Sequence, residues 1–367
     1  MRLMKKLPNF LLFLTTSAML PFSANAELSV RIDPVVTGLD APWAIAPLAD
    51  GGVLITQKGG QLIYDRGGQR TEVAGVPEVA LDGQGGLLDL TLAQDFDRSR
   101  VLFLTYAKPQ TGGGSGTALA SARLSDDGTK LENVTLLFEM AAGSSGGRHF
   151  GSRVVEAPDG TLFVTIGERG DRPAAQDQSR HNGTVVRVNR DGSVPQDNPF
   201  VGRSGVQPEI WSYGHRNPQG AGLDGAGHLW VSEHGAKGGD EVNRIIKGAN
   251  YGWPVISYGR HYSGAKIGEG TAKDGMEQPE FYWDPSIAPS GLLVYSGALF
   301  PEWAGDIFVG SLKFDYISRL SGDPLQEVAQ IKTNETTRVR DIVEGPNGAI
   351  WFISEPQGTV YRMTPAE

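Results

Sequence analysis

Cysteine is absent from the 367 residues. Its absence excludes a disulfide framework, thiolate metal sites, iron–sulfur clusters and a cysteine nucleophile. Other chemical signatures are missing too. No H-E-x-x-H supports a catalytic zinc, and no G-x-S-x-G marks a serine-hydrolase elbow. No G-x-G-x-x-G opens a helix, and Thr111-Gly-Gly-Gly-Ser-Gly lacks the Lys-Ser/Thr that would end a phosphate loop, so it reads as a flexible turn tip. Positive charge is in deficit: 33 basic against 42 acidic side chains give a net −9. That balance argues against a nucleic-acid partner and makes any basic cluster local, aimed at something small.

Residues 1–26 read as a leader rather than as part of the fold. Arg2, Lys5 and Lys6 precede an apolar run from Phe10 to Leu20, and Ala24-Asn25-Ala26 forms an A-x-A cleavage pattern before Glu27. No later stretch approaches the ~20 apolar residues of a membrane helix. The expectation is a mature chain exported to a bacterial periplasm or beyond the cell, with no membrane insertion.

What the chain has in abundance is glycine, 50 residues, punctuating short β-rich runs. A turn followed by such a run recurs at Asp50–Thr56, Arg100–Thr105, Asp159–Thr165, Gly227–Ser232, Gly305–Gly310 and Gly348–Ile353. A second run follows each: Gly60–Tyr64, Ala120–Arg123, Gly183–Arg187, Glu241–Arg244, Tyr316–Arg319 and Gly358–Arg362. Before each lies a run rich in small residues, suited to strands crowded around an axis. Fourth strands are expected at 72–79, 131–140, 208–214, 280–286 and 326–335. The sixth module runs out of chain, and Leu28–Asp33 supplies its missing outer strand. The pattern predicts an all-β, six-bladed β-propeller of four-stranded antiparallel blades, closed by the N- and C-terminal strands and occupying 27–367 as one domain. The Gly/Pro/aromatic-rich segments 191–207 and 251–279 are insertions on that frame, where function concentrates.

Equivalent blade ends carry polar residues that could converge on one mouth. Gln84, His149, Arg216-Asn217 and Arg338/Arg340 stand at the entries to inner strands; Glu168, Glu233-His234 and Lys313 follow central strands. The alternation Arg338-Val-Arg340 puts both guanidinium groups on one strand face. Arg216, Lys313, Arg338 and Arg340 could surround a small polyanion or form ordinary surface ion pairs. His149, flanked by glycines, could be a general base or a structural residue. Asp95-Phe-Asp97 lacks the other EF-hand ligands and reads as a turn. Gly235-Ala236 with Asp240-Glu241 suits a hard cation such as calcium as well as it suits a solvated acidic turn.

Taken together, Gly83–Leu88, Arg148–Arg153, Ile166–Asp171, Tyr213–Gly220, Ser232–Asn243, Gly248–Pro254, Ser311–Lys313 and Arg338–Asp341 resemble the soluble PQQ-dependent aldose sugar dehydrogenases of the glucose/sorbosone dehydrogenase family, in order and over almost the whole mature chain. The resemblance implies the same six-bladed fold and two cofactors, pyrroloquinoline quinone (PQQ) and Ca2+. It implies cofactor contacts from Gln84, Arg216, Asn217, Tyr262, Lys313, Arg338 and Arg340, and calcium held by Gly235, Ala236, Glu241 and Tyr251, the glycine, alanine and tyrosine through their carbonyls. His149 is then the base that takes the anomeric proton of an aldose while hydride leaves the same carbon, and Arg216 stabilises the developing negative oxygen. The product is an aldonolactone, and electrons pass to an external acceptor (quinone, cytochrome or dye). His234, Ala236 and Glu168 stand where the glucose-specific branch has Gln, Pro and Asp, which favours the broader aldose subgroup. Two other functions fit a propeller: a calcium-dependent sugar lactonase, for which the cationic set has no use, and a non-catalytic carbohydrate- or protein-binding module.

Overall fold

The computed structural model describes residues 29–141 and 144–366; the expected leader, 1–26, lies outside them. Six four-stranded antiparallel sheets form a ring. From the axis outward, blade one is Pro42–Pro47, Gly52–Gln57, Gln61–Arg66 and Gln69–Val73. Blade two is Leu87–Leu92, Val101–Pro109, Ser115–Leu124 and Leu131–Glu139. Blade three is Val154–Glu156, Leu162–Ile166, Thr184–Val188 and Ile210–Tyr213. Blade four is Pro218–Leu223, Leu229–Glu233, Asp240–Arg244 and Phe281–Trp283. Blade five is Pro289–Val294, Ile307–Ser311, Ile317–Ser321 and Gln326–Ile331. Blade six is Val339–Glu344, Ile350–Ser354 and Thr359–Pro365, completed on its outer edge by Val30–Val36. The N-terminal strand thus pairs with the C-terminal one, Ile32 opposite Met363, and closes the ring.

Central strands such as Leu162–Ile166 and Ile350–Ser354 are buried at every position. Each is covered on both faces by neighbouring blades, so continuous apolar runs replace the alternation of a half-exposed sheet. One expected strand is displaced. The outer strand of blade one is Gln69–Val73, not 72–79. Gly67 and Gly68, at φ 60° and 83°, turn the chain in two residues, so pairing resumes with Gln69 opposite Arg66. Residues 74–79 leave that sheet, and Ala74 only bridges to Lys130.

Inner strands begin irregularly. Register shifts interrupt them at Pro42/Ala44, Leu87/Leu90, Pro218/Gly220, Pro289/Leu292 and Val339/Ile342. Ala41, Gly86, Ala288 and Arg338 stand at four of these entries with positive φ, and Ser152 does the same before the regular inner strand of blade three. Such bulges re-aim side chains, here on one end of the ring.

The axis is closed part-way along by Arg153. Its Nη1 lies 2.8 Å from Asp89 and 2.7 Å from Asp341. Its Nε donates to the Gln219 carbonyl at 2.7 Å, and its guanidinium covers the Trp43 ring at 4.4 Å. One buried side chain therefore ties blades one, two, three, four and six. Removing one member of a buried ionic group costs about 3–5 kcal/mol when it strands an uncompensated charge. Arg153→Leu strands two carboxylates and should lower stability by about that amount in denaturant melts, whereas Asp89→Asn leaves an arginine with one acid and should cost far less. Burial, with Asp341 opposing its ionisation, pushes Asp89 up to about 6. A raised carboxyl favours folding below its unfolded pKa, and that contribution is lost as pH rises through about 6. The Asp89→Asn protein should lack this loss when melting is followed from pH 4 to 7.

Candidate active site

At the end of the axis beyond Arg153, a hollow of about 320 Å³ opens, lined by Trp43, Lys58, Gln84, Gln219, His234, Arg338, Arg340 and Glu355 among others. Three cations face one carboxylate there. Arg340 is held by Gln219 Oε1 at 3.0 Å and by Glu355 Oε2, while Arg338 Nη1 donates to the Leu312 carbonyl at 2.9 Å. The two guanidinium groups meet at Glu355 Oε2, but not through strand alternation: Arg338 precedes the strand Val339–Glu344 with φ 41°, and the register shifts between Val339 and Ile342.

His149 does not line the hollow but is tied to it through Gln84. Its backbone N–H donates to Gln84 Oε1 at 2.7 Å, and the Gln84 N–H donates to the Gly147 carbonyl at 2.8 Å. A Cβ on Gly83 would lie 2.1 Å from that carbonyl, and one on Gly167 would lie 2.0 Å from the His149 carbonyl. Only glycine lets these three segments meet. Gly167 delivers Glu168, which is 1% exposed, so that its Oε2 accepts from His149 Nδ1 at 2.5 Å. Because the carboxylate only accepts, the proton sits on Nδ1 and leaves the Nε2 lone pair free. Burial pulls the His149 pKa below the ordinary imidazole value; Glu168 pushes it up, and Arg216 and Arg148 push it down. Asn217 fixes the same corner by accepting the Gly151 N–H at 3.1 Å.

A second void, about 10 Å³ and thus of single-water size, is lined by Arg216, Glu233, His234, Gly235, Glu241, Tyr251 and Trp253 among others. Arg216 donates its backbone N–H to Glu233 at 2.8 Å and Nη1 to the His234 carbonyl at 3.2 Å. Its Nε is buried without a partner, and its guanidinium lies over Trp253 at 5.2 Å. Glu241 is pushed up to about 8 by burial and then by the neighbouring Glu233. Ala236 is buried against Ala175, Trp253 and Ile267, outside the lining of the void. His234 borders both spaces.

The sequence model of the glucose/sorbosone dehydrogenase family matches residues 39–362. The chain is 42% identical over 349 residues to aldose sugar dehydrogenase YliI of Escherichia coli, covering 93% of this chain and 94% of that one. The crystal structure of the apo soluble aldose sugar dehydrogenase of Escherichia coli superposes with a TM-score of 0.88 at 40% identity, covering 92% of this chain and all of the other. The PQQ-bound aldose sugar dehydrogenase of Streptomyces coelicolor gives 0.75 at 26% identity, covering 92% and 98%. The chain belongs to the glucose/sorbosone dehydrogenase family.

Against the site residues expected of that family, the hollow gathers Gln84, Arg338 and Arg340, and the small void gathers Arg216, Gly235, Glu241 and Tyr251. His149 is tied to the hollow through Gln84, and the Asn217 carbonyl accepts the N–H of His234, which lines both spaces, at 3.1 Å. Lys313 and Tyr262 line neither space. Lys313 is exposed with its ammonium 4.7 Å from the Phe314 ring, and Tyr262 is 72% exposed in the 251–279 insertion, within electrostatic reach of Arg216. Sequence reasoning missed Lys58 and Glu355, although both follow central strands, the position that had singled out Glu168 and Lys313. It also left His234 without a role. Burial, then Arg216, His149 and Arg340, pull His234 down to about 3, so it is neutral in ordinary buffers.

The dyad makes a pH prediction. Glu168 raises the His149 pKa, so Glu168→Gln should lower it further. Any rate that needs the free imidazole should then keep its acid limb at lower pH than in the parent, with a plateau reduced about 10- to 100-fold by the weaker base. An unshifted acid limb in a pH–rate profile would remove Glu168 from this role.

Proposed function

We propose that this chain oxidises aldoses at C1 to aldonolactones with PQQ and calcium, passing electrons to an external acceptor such as a quinone, a cytochrome or a dye. Family membership makes it an oxidoreductase acting on sugars. The finer reading is supported by one observation above all: a cation-lined hollow tied through Gln84 to an imidazole–carboxylate dyad. PQQ carries three carboxyl groups, and Lys58, Arg338 and Arg340 offer donors suited to them. The unpartnered Arg216 Nε is a further donor awaiting an acceptor. A divalent cation suits the small void, where the half-buried Glu241 has no cationic partner and shares the lining with Gly235 and Tyr251, whose backbone carbonyls are further oxygen donors. A neutral lactone substrate would leave the three cations of the hollow with Glu355 as their one counterion.

When bound, PQQ with its calcium supplies the electrophilic quinone that accepts the hydride. The protein's own groups do the rest. His149 Nε2 takes the proton of the anomeric hydroxyl, and Glu168 stabilises the imidazolium that forms. Because burial keeps the imidazole neutral near pH 7, the base is ready before substrate arrives. Arg216, held from behind by Glu233 and Trp253, adds fixed positive charge where oxygen gains negative charge. Export by the leader at 1–26 belongs to the same reading.

Reconstituting the mature chain with PQQ and calcium should give aldose-dependent reduction of an artificial acceptor dye, and neither addition alone should suffice. His149→Ala should lower turnover about 10²- to 10⁴-fold while leaving the cofactor dissociation constant within about twofold. Bound PQQ with no sugar-dependent reduction would reject the dehydrogenase reading. Calcium should raise the melting temperature of the parent, and Glu241→Gln should need at least about tenfold more calcium for the same rise. Identical calcium titrations would remove Glu241 as a ligand.

A further inference from the structure

Among the residues lining the cationic hollow there is one carboxylate, Glu355, and it rests on the two arginines expected to receive the cofactor's carboxyl groups. Its Oε2 lies 3.0 Å from Arg340 Nη2, 3.2 Å from Arg340 Nε and 3.5 Å from Arg338 Nη2. The placement is built into the backbone: Glu355 follows the central strand Ile350–Ser354, and its N–H donates to the Arg338 carbonyl at 3.3 Å. Each arginine also has an anchor other than the Glu355 side chain. Arg340 is anchored by Gln219, and its carbonyl is 3.3 Å from Arg153 Nη2. Arg338 is anchored through the Leu312 carbonyl and by its backbone N–H to Asp315 at 3.0 Å.

We propose that Glu355 is a resident anion of the cofactor site, competing with the carboxyl groups of an incoming polyanion for Arg338 and Arg340. The inference rests on the PQQ reading of the preceding subsection. Two like-charged guanidinium groups two residues apart repel each other, and one carboxylate oxygen between them offsets that repulsion. A tricarboxylate brought into the same hollow meets that carboxylate as a like charge. Glu355 thereby sets affinity below what the cations alone would give, and its side chain, 27% exposed, borders the hollow the polyanion would enter.

The test is a PQQ titration of the intact mature protein with calcium present, read by quenching of tryptophan fluorescence, at about 20 mM and about 500 mM NaCl. Screening acts over about 20 Å at the lower salt and a few Å at the higher. Glu355→Gln keeps a hydrogen-bond acceptor for the arginines and removes the charge. It should bind PQQ at least fivefold more tightly than the parent at low salt, with the advantage shrinking at high salt. Glu355→Asp, which withdraws the carboxylate by one methylene, should fall between and serves where the glutamine variant does not fold. Arg338→Ala should bind more weakly than the parent. Equal or weaker binding by Glu355→Gln, with Arg338→Ala impaired, would overturn the proposal and make Glu355 a positioning residue. A parent protein that binds no PQQ, with variants alike, would overturn the PQQ reading and this inference together.

Discussion

A single buried guanidinium near the axis governs what the rest of the ring can do. Six inner strands converging on one line leave a channel, and a channel open at both ends cannot hold a small ligand away from water. Arg153, with Asp89 and Asp341, divides it. On one side lies a space of about 350 Å³ lined by the inner strands, on the other the hollow bordered by Trp43, Gln219 and Arg340. Each of these three also contacts Arg153. The group that closes the channel is therefore the group against which the walls of the site are set. Buried ion pairs are weak evidence for stability but can fix a unique arrangement. Here the arrangement fixed is the relative position of five blades.

Around that floor, the site is made by irregularities at strand entries rather than by strands themselves. Regular pleating would send alternate side chains into the neighbouring blades. The register shifts and left-handed residues at Ala41, Gly86, Ser152, Ala288 and Arg338 turn the incoming chain toward the axis. His149 itself has φ 56°, a conformation costly outside glycine and found where surrounding structure imposes it. The glycines at 83, 147 and 167 let three backbones approach closely enough to impose it.

This division explains what was legible in the sequence. Blade count, strand order and closure by the two chain ends follow from hydrophobic runs and turn residues, which are local signals. The outer strand of blade one was misplaced because Val73-Ala-Gly-Val-Pro-Glu-Val carries an apolar pattern that packing against blade two satisfies without a sheet; Val73, Val76 and Val79 all sit in the cluster shared with Leu102 and Leu131. Site residues with a positional rule, such as His149 at a strand entry and Glu168 after a central strand, could be nominated in advance. The same rule reaches Lys58 and Glu355, but nothing local says that Glu355 bends back onto Arg338 and Arg340. Gln219 and Trp43 were invisible as site residues because both lie in inner-strand sequence that reads as core.

The two spaces of the site also carry opposite imbalances. In the larger one, Lys58, Arg338 and Arg340 outnumber Glu355. In the smaller, two carboxyl groups, Glu233 and Glu241, stand with one cation, Arg216; burial and then Glu233 push Glu241 up to about 8, so near pH 7 it holds a proton, and the negative excess develops when that proton leaves. His234 stands between them, held neutral by burial and by the cations on either side, so it transmits neither excess to the other. Filling one space alone relieves one imbalance and leaves the other unopposed nearby. An anion in the larger space and a divalent cation in the smaller would relieve both and attract each other across the wall. By linkage, each would then tighten the binding of the other by the same factor. The charge layout, before any chemistry on a sugar, thus complements the two proposed ligands of opposite sign better than either one alone.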